Sequence, residues 1–269
     1  MHGVNMEGLE LSKESLVKCE NKIMESIVRV VELSNSNGAI LAISGGIDSA
    51  LVATLASRVV DVYGLIMPDS TSTDPDDIQH ARELAESLGI DYEIIDISSI
   101  VQAIYRSRPE LGPEECKLAY ANVKPRVRMI MNYFAANLDG RIVLGTGNKT
   151  ELCLGYFTKY GDGGVDILPI GDLYKTRVWQ LSRHLGIPEH IVSKAPSAGL
   201  WKGQTDEAEL GLSYKTADMI LYAMFDKGLT REQIKKETGV DDESIDKVMQ
   251  RIRGSEHKRI MPPIVKLDV

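Results

Sequence analysis

Apolar positions in the first 150 residues follow two alternating rhythms. Leu16, Ile23, Ile27, Val30 and Val31 recur at helical intervals behind Ser12, a hydroxyl suited to a helix cap, so residues 12–33 read as an amphipathic helix. The next apolar run, Ala39-Ile40-Leu41-Ala42-Ile43, is short, unbroken and closed by glycines, as in a buried strand. It passes directly into Ala50-Leu51-Val52-Ala53-Thr54-Leu55-Ala56, a helix-compatible stretch. Residues 60–67 form a β-rich run ended by Pro68-Asp69-Ser70. Residues 75–88 read as a helix with Pro75 in its first turn and Gly89 closing it, and residues 92–97 as the next strand. A long helical region over 114–138 leads to a fourth strand at 141–146. Regular alternation of this kind predicts an α/β fold, a doubly wound parallel sheet with flanking helices. Ligands of such sheets bind beyond the carboxyl ends of the strands, where both Ser44 and Thr146 fall.

The texture changes at Pro196. Residues 198–207 are polar and punctuated by glycine, which predicts a mobile loop. Helical patterns then run to about Arg253, separated by the connections Asp226-Lys227-Gly228 and Thr238-Gly239-Val240-Asp241. The expectation is one domain over 1–269, with an α/β core at 1–195 and a lid loop plus helical C-terminal extension at 196–269.

Composition narrows the function classes. With 43% hydrophobic and 26% charged residues the chain is an ordinary globule, and no apolar run approaches the roughly 18 residues of a membrane span. Lys+Arg 31 against Asp+Glu 39 gives a net charge of -8, which argues against broad nucleic-acid binding and requires any anionic ligand to find a locally basic pocket. Cys19, Cys116 and Cys153 are odd in number and lack metal-ligand spacing, and the N-terminus lacks the order of a signal peptide, so a cytoplasmic protein is expected.

The chemistry begins at Ser44-Gly45-Gly46-Ile47-Asp48-Ser49, between the first strand and its helix. The glycines let the backbone turn and approach an oxyanion, the serines add hydroxyls, and the amides of the new helix face the same anion. Asp48 is placed to hold Mg²⁺ against phosphates. Without the lysine and spacer of a Walker A loop, this is not an ordinary kinase or GTPase motif. It resembles the PP-loop of the ATP pyrophosphatases, which release pyrophosphate while a substrate oxygen attacks the α-phosphorus.

A second block, Gly145-Thr146-Gly147-Asn148-Lys149-Thr150-Glu151, is followed by Lys159-Tyr160-Gly161-Asp162-Gly163-Gly164-Val165-Asp166 and by Asp172-Leu173-Tyr174-Lys175-Thr176. Pro196-Ser197, Gly203-Gln204-Thr205-Asp206-Glu207 and His257-Lys258-Arg259 complete the order. Together with the PP-loop, these blocks resemble the ammonia-dependent NAD⁺ synthetases over nearly the whole chain. The resemblance implies ATP-dependent amidation of deamido-NAD⁺ to NAD⁺ by ammonia through an adenylated carboxylate, with release of AMP and pyrophosphate. It implies ATP binding by Ala42, Ile43, Ser44, Gly45, Gly46, Ile47, Asp48 and Ser49, with Thr146, Lys175 and Ser197. Ser197 stands where many relatives carry threonine, and keeps the hydroxyl. Mg²⁺ would be held by Asp48 and Glu151, two carboxylates that suit a hard cation retaining several waters. Deamido-NAD⁺ would meet Arg126, Lys159, Asp166, His257 and Lys258. Asp48 and Lys175 carry the implied catalytic roles, the lysine offsetting charge on departing pyrophosphate. Asp162 is the candidate proton acceptor from ammonium. A homodimer with sites at the subunit interface is implied, with neither nucleic acid nor membrane as a partner, and Trp201 falls in the expected lid at 199–211.

Other readings remain open. Arg126 reads by spacing as part of a solvated helix face, His257-Lys258-Arg259 as a basic tail and Asp162 as a turn carboxylate. A PP-loop ligase for another carboxylate, or for a tRNA base, would share the first motif but not Tyr160-Gly161-Asp162-Gly163-Gly164. A nucleotide sensor would bind ATP without releasing AMP, which intact Asp48 and Glu151 argue against. A purely structural interaction protein has no positive feature behind it.

Overall fold

The computed structural model describes residues 8–267 apart from positions 109, 111, 113, 114 and 202. Four parallel strands, β1 (Ala39–Ala42), β2 (Val62–Ile66), β3 (Asp91–Ile94) and β4 (Ile142–Leu144), form a sheet in the order β3-β2-β1-β4. Each is shorter than its apolar run because the run's ends turn into loops. The sheet grows from β1 toward β3 on one side and receives β4 on the other, so the winding reverses between β1 and β4. That reversal is the switch point at which ligands of such sheets bind. After β4 the chain returns to the same edge, where Ile167 bridges Leu144 in parallel and its carbonyl accepts from Gly145 N at 2.8 Å. The sequence pattern gave no sign of this added edge.

Helix α1 (Lys13–Leu33) starts as expected, with the Ser12 side chain accepting from Ser15 N, and buries Leu16, Ile23 and Ile27. Helix α2 (Ile47–Ala56) buries nearly every residue, so it carries no polar stripe. It packs against α1, α3 (Pro75–Leu88), α8 (Lys175–His184) and α9 (Glu189–Val192). On the opposite face, α4 (Ser98–Arg106) and α6 (Val123–Asp139) cover Ile40, Leu65 and Val143 with Val101, Val127 and Ala136.

The long helical region expected over 114–138 is two helices, α5 (Lys117–Ala121) and α6, meeting at Asn122; position 114 lies outside the described residues. Pro125 explains the break. In a continuous helix its ring would crowd the Ala121 carbonyl, whereas in the first turn of α6 its missing N–H costs nothing.

Beyond the sheet come α7 (Lys149–Leu154), α10 (Asp206–Leu210), α11 (Tyr214–Leu221), a π-helical turn at Tyr222–Asp226, α12 (Arg231–Thr238), α13 (Asp242–Gly254) and α14 (Glu256–Arg259). Leu210, Tyr214, Ile220, Ile234, Ile245 and Val248 bury themselves against Leu154 and Tyr174, so the C-terminal helices pack on the chain segments that follow β4. Among the described residues no helix is long and apolar enough to cross a membrane.

Candidate active site

The loop after β1 owes its shape to Gly45. Its φ is +79°, and a Cβ there would lie 2.3 Å from the Asp77 carbonyl oxygen, so α3 and the loop approach as only glycine permits. The Ser49 hydroxyl donates to Gly46 O at 2.9 Å, accepts from Ser44 N at 3.2 Å and sits 3.1 Å from Ser44 Oγ. The N-cap of α2 is Gly46, which offers no side chain to its amides, and this leaves the helix N-terminus available to an anion. Ile43 and Ile47 are buried, so their contribution to a phosphate is through the main chain.

Across the switch point, Asn148 caps α7 by accepting from Glu151 N at 3.0 Å, while Glu151 Oε2 accepts from Asn148 N at 3.2 Å. Asn148 Nδ2 also donates to Asp48 Oδ1 at 2.9 Å, tying the two loops together. Lys175, from the first turn of α8, completes the cluster. Its buried ammonium lies 2.5 Å from Asp48 Oδ2, 3.5 Å from Glu151 Oε1 and 5.1 Å from the centre of the Tyr214 ring. Burial opposes the lysine's charge, but Asp48 and Glu151 outweigh it and raise its pKa. Burial, then repulsion by Asp48, pushes the Glu151 carboxyl well above the usual range. One ammonium thus faces two carboxylates, and the site accommodates further positive charge. The donor set fits Mg²⁺: no group of three metal-ligating side chains occurs among the described residues, so substrate oxygens and water would complete the shell.

The segment after Pro196 is anchored through Asp206 to a tyrosine beside this cluster. Asp206 N donates to Pro196 O at 3.0 Å, and Asp206 Oδ1 accepts from Ala198 N at 3.0 Å and Tyr156 Oη at 3.1 Å. Tyr214 Oη donates to Asp206 Oδ2 at 2.9 Å, so the segment's anchor touches the tyrosine that lies beside Lys175. Burial raises the Asp206 carboxyl's pKa. Lys117 Nζ stands 4.0 Å from the Trp201 ring centre. Lys124, between Val123 and Pro125, is buried and reaches Asp69, Ser72 and Leu200.

A second group forms around residues 155–162. Arg126 Nη2 donates to Lys159 O at 3.4 Å, and Lys159 Nζ to His257 O at 2.5 Å. Lys258 Nζ donates to Gly155 O and Phe157 O, each at 2.7 Å, docking α14 on the end of α7; burial lowers its pKa. Tyr160 holds a left-handed φ of 59°, uncommon outside glycine and asparagine. Asp162 Oδ1 accepts from Thr158 N at 2.8 Å, which is the turn-carboxylate role.

The expected residues therefore fall into two groups, with others set apart. Asp48, Glu151 and Lys175 are in direct contact beside Ser44 and Ser49. Arg126, Lys159, His257, Lys258 and Asp162 gather at the second location. Asp166 lies at the sheet edge, taking Tyr133 Oη at 2.9 Å and Val143 N at 2.8 Å. Thr146 stands two residues past β4, and Ser197 Oγ accepts from Gly199 N at 3.1 Å within its own loop. Sequence reasoning missed Asn148, Lys124, Asp69 and Asp206 as organisers. The spacing of Asn148 and Glu151 is a legible capping box, whereas nothing distinguishes Lys124 from its exposed neighbour Arg126.

A glycine-serine loop at the switch point of a parallel sheet, backed by an Asp-Lys-Glu cluster, defines a PP-loop nucleotide-dependent enzyme. Residues 19–262 match the model of the NAD synthase family, and the chain belongs to that family. It is 51% identical to the NH(3)-dependent NAD(+) synthetase of Methanosarcina acetivorans, covering 93% of this chain and 98% of that protein. Identity to the NH(3)-dependent NAD(+) synthetase of Archaeoglobus fulgidus is 48%, over 93% and 97% of the two chains. Among solved structures, the NMN synthetase of Francisella tularensis aligns with a TM-score of 0.84 at 32% identity, covering 96% of this chain and 100% of that one. The NH3-dependent NAD synthetase of Campylobacter jejuni, in complex with the nitrate ion, gives 0.79 at 31% identity, over 93% and 99%.

Proposed function

We propose that this protein catalyses the ATP-dependent amidation of deamido-NAD⁺ to NAD⁺, with ammonia as nitrogen donor and AMP and pyrophosphate as products. The observation that carries the reading is the contact of Lys175 with both Asp48 and Glu151 directly behind the Ser44–Ser49 loop, in a chain of this family. The α2 amides, Ser44 and Ser49 bind the ATP phosphates, with Thr146 and Ser197 supplying hydroxyls. Asp48 and Glu151 hold Mg²⁺, which supplies charge neutralisation to the triphosphate when bound. Lys175 stabilises negative charge as pyrophosphate departs. The nicotinate carboxylate attacks the α-phosphorus, and ammonia then displaces AMP from the acyl-adenylate. Arg126, Lys159, Asp166, His257 and Lys258 orient the dinucleotide, and Asp162 takes the proton from ammonium. The expected segment 199–211, in which Asp206–Leu210 form α10, acts as the lid that keeps water from the adenylate.

A second copy of the chain completes the assembly. Arg126, Ile130, Phe134 and Leu138 recur every fourth residue and share one face of α6. The last three are 57%, 58% and 69% exposed, a row of large apolar side chains that a homodimer interface would bury. Burying it brings the partner against the face that carries Arg126. Free thiols at Cys19, Cys116 and Cys153 suit the reducing cytoplasm.

The test is product analysis after incubation with MgATP and deamido-NAD⁺, supplied with ammonium, with glutamine or with no donor. NAD⁺ and AMP appearing only with ammonium is the expected result. Because an NMN synthetase shares the fold, a parallel reaction offers nicotinic acid mononucleotide. Preferential amidation of the mononucleotide would replace the dinucleotide as substrate, and absence of AMP from folded protein in every reaction would overturn the enzyme reading.

A further inference from the structure

Helix α8 presents Lys175 from its first position but has no cap of its own, since Tyr174 stands at the cap and makes no side-chain bond there. Its first amides are satisfied from elsewhere in the molecule. Lys175 N donates to Thr150 Oγ1 at 2.9 Å, and Thr176 N donates to Asp218 Oδ2 at 2.7 Å. The Thr150 hydroxyl, one residue before Glu151, donates in turn to Asp218 Oδ1 at 2.5 Å. Asp218 belongs to α11 and is fully buried. One carboxylate from the C-terminal helices therefore holds the first turns of α7 and α8, the two helices that deliver Glu151 and Lys175. An acidic group suits this place, because helix N-termini favour negative charge and the amides offset its desolvation. Burial pushes its carboxyl up to about 6, which leaves it ionised near neutral pH.

We infer that Asp218 is a positioning residue for adenylation: acting as a remote cap for α8 and tethering α7 through the Thr150 hydroxyl, it sets Lys175 against Asp48 and Glu151. This rests on the amidation reading above. Asparagine at 218 keeps the shape but replaces one acceptor with a donor, so Thr176 N and Thr150 Oγ1 cannot both keep their present bonds. A resulting displacement of about 1 Å at Lys175 is enough to slow the chemistry on the order of a hundredfold without touching the dinucleotide.

The experiment uses the full chain and follows AMP and NAD⁺ release with MgATP, deamido-NAD⁺ and ammonium. For Asp218→Asn, kcat should fall about 10- to 100-fold while KM for deamido-NAD⁺ stays within about twofold. In a Lys175→Gln background the same change should cost less than about twofold more, because both substitutions act through one side chain. A kcat for Asp218→Asn within about twofold of the parent, or losses that multiply in the double variant, would overturn the inference. If Asp218→Asn does not fold, Thr150→Val carries the same comparison, since it removes the bridging hydroxyl and leaves the Asp218 bond to Thr176 N. An unsubstituted protein that releases neither product fails the amidation reading itself, an outcome distinct from an active parent matched by its variant.

Discussion

Lys124 Nζ lies 2.8 Å from Asp69 Oδ2 in the interior, and the same ammonium donates to Leu200 O at 2.8 Å and Ser72 Oγ at 2.7 Å. One side chain from α6 thus clasps the loop after β2 to the segment after Pro196. Lys124→Met removes the clasp and strands a buried carboxylate, which should cost about 3–5 kcal/mol. Cleavage by a protease within 199–204 should accelerate, and adding Asp69→Asn should recover part of the stability. Chemical denaturation and timed proteolysis check both outcomes.

The same pair sets a pH dependence. Burial alone would raise the Asp69 pKa, but bonds from Lys124 and Thr71 outweigh it and hold the carboxyl at about 2, against an ordinary 3.8. A depressed carboxylate contributes stability that is present in full above its unfolded pKa and is lost as pH falls through its folded one. The contribution, about 2 kcal/mol, should be steady from pH 5 upward and fade between roughly pH 4 and pH 2. Denaturation curves of the parent and Asp69→Asn should differ at pH 6 and converge toward pH 2.

Gly45→Ala meets the Asp77 carbonyl 2.3 Å from its new methyl, at a φ of +79°. Strain of about 1–3 kcal/mol should appear as lower stability. The loop must move to relieve it, so calorimetry should find MgATP affinity reduced by about tenfold or more. An unchanged affinity would mean that this loop does not hold the phosphates.

Phe134→Asp places a charge in the exposed row on α6. Sedimentation velocity should show a dimer for the parent chain and a monomer for the variant. Unchanged association would place the subunit contact on another surface.

Lys175→Gln should lower kcat for AMP release by about 10²–10³, the usual cost of one transition-state electrostatic contact, while deamido-NAD⁺ affinity moves little. Equal losses in kcat and dinucleotide affinity would argue for a general disturbance of the site.

Much of this architecture was legible in the sequence for local reasons. Ser12, Pro75 and Gly89 mark helix ends through capping and backbone preference, and they do so in the structure. The loop at Ser44–Ser49 read on its own as a glycine-serine turn, and its resemblance to the PP-loop of the ATP pyrophosphatases gave it a phosphate role. The break at Asn122 was readable in principle from Pro125, but the apolar spacing on both sides concealed it. Long-range contacts were not legible. Lys124 and Arg126 are both cations in one basic stretch, and only the packing of α6 buries the first and exposes the second. Lys258 read as a basic tail or a ligand residue, and in the structure two main-chain carbonyls fix its ammonium while one N–H is left for a ligand.

The contribution of the C-terminal helices also bears on synthesis. Lys175 and both carboxylates beside it leave the ribosome well before Asp206, Tyr214 and Asp218, and domains form from the N-terminus as the chain emerges. A nascent chain ending near residue 200 already contains the whole sheet, yet has neither the anchor for its covering segment nor the remote cap of α8. The first turn of α8 and the segment after Pro196 thus gain these partners only once the last quarter of the polypeptide is made.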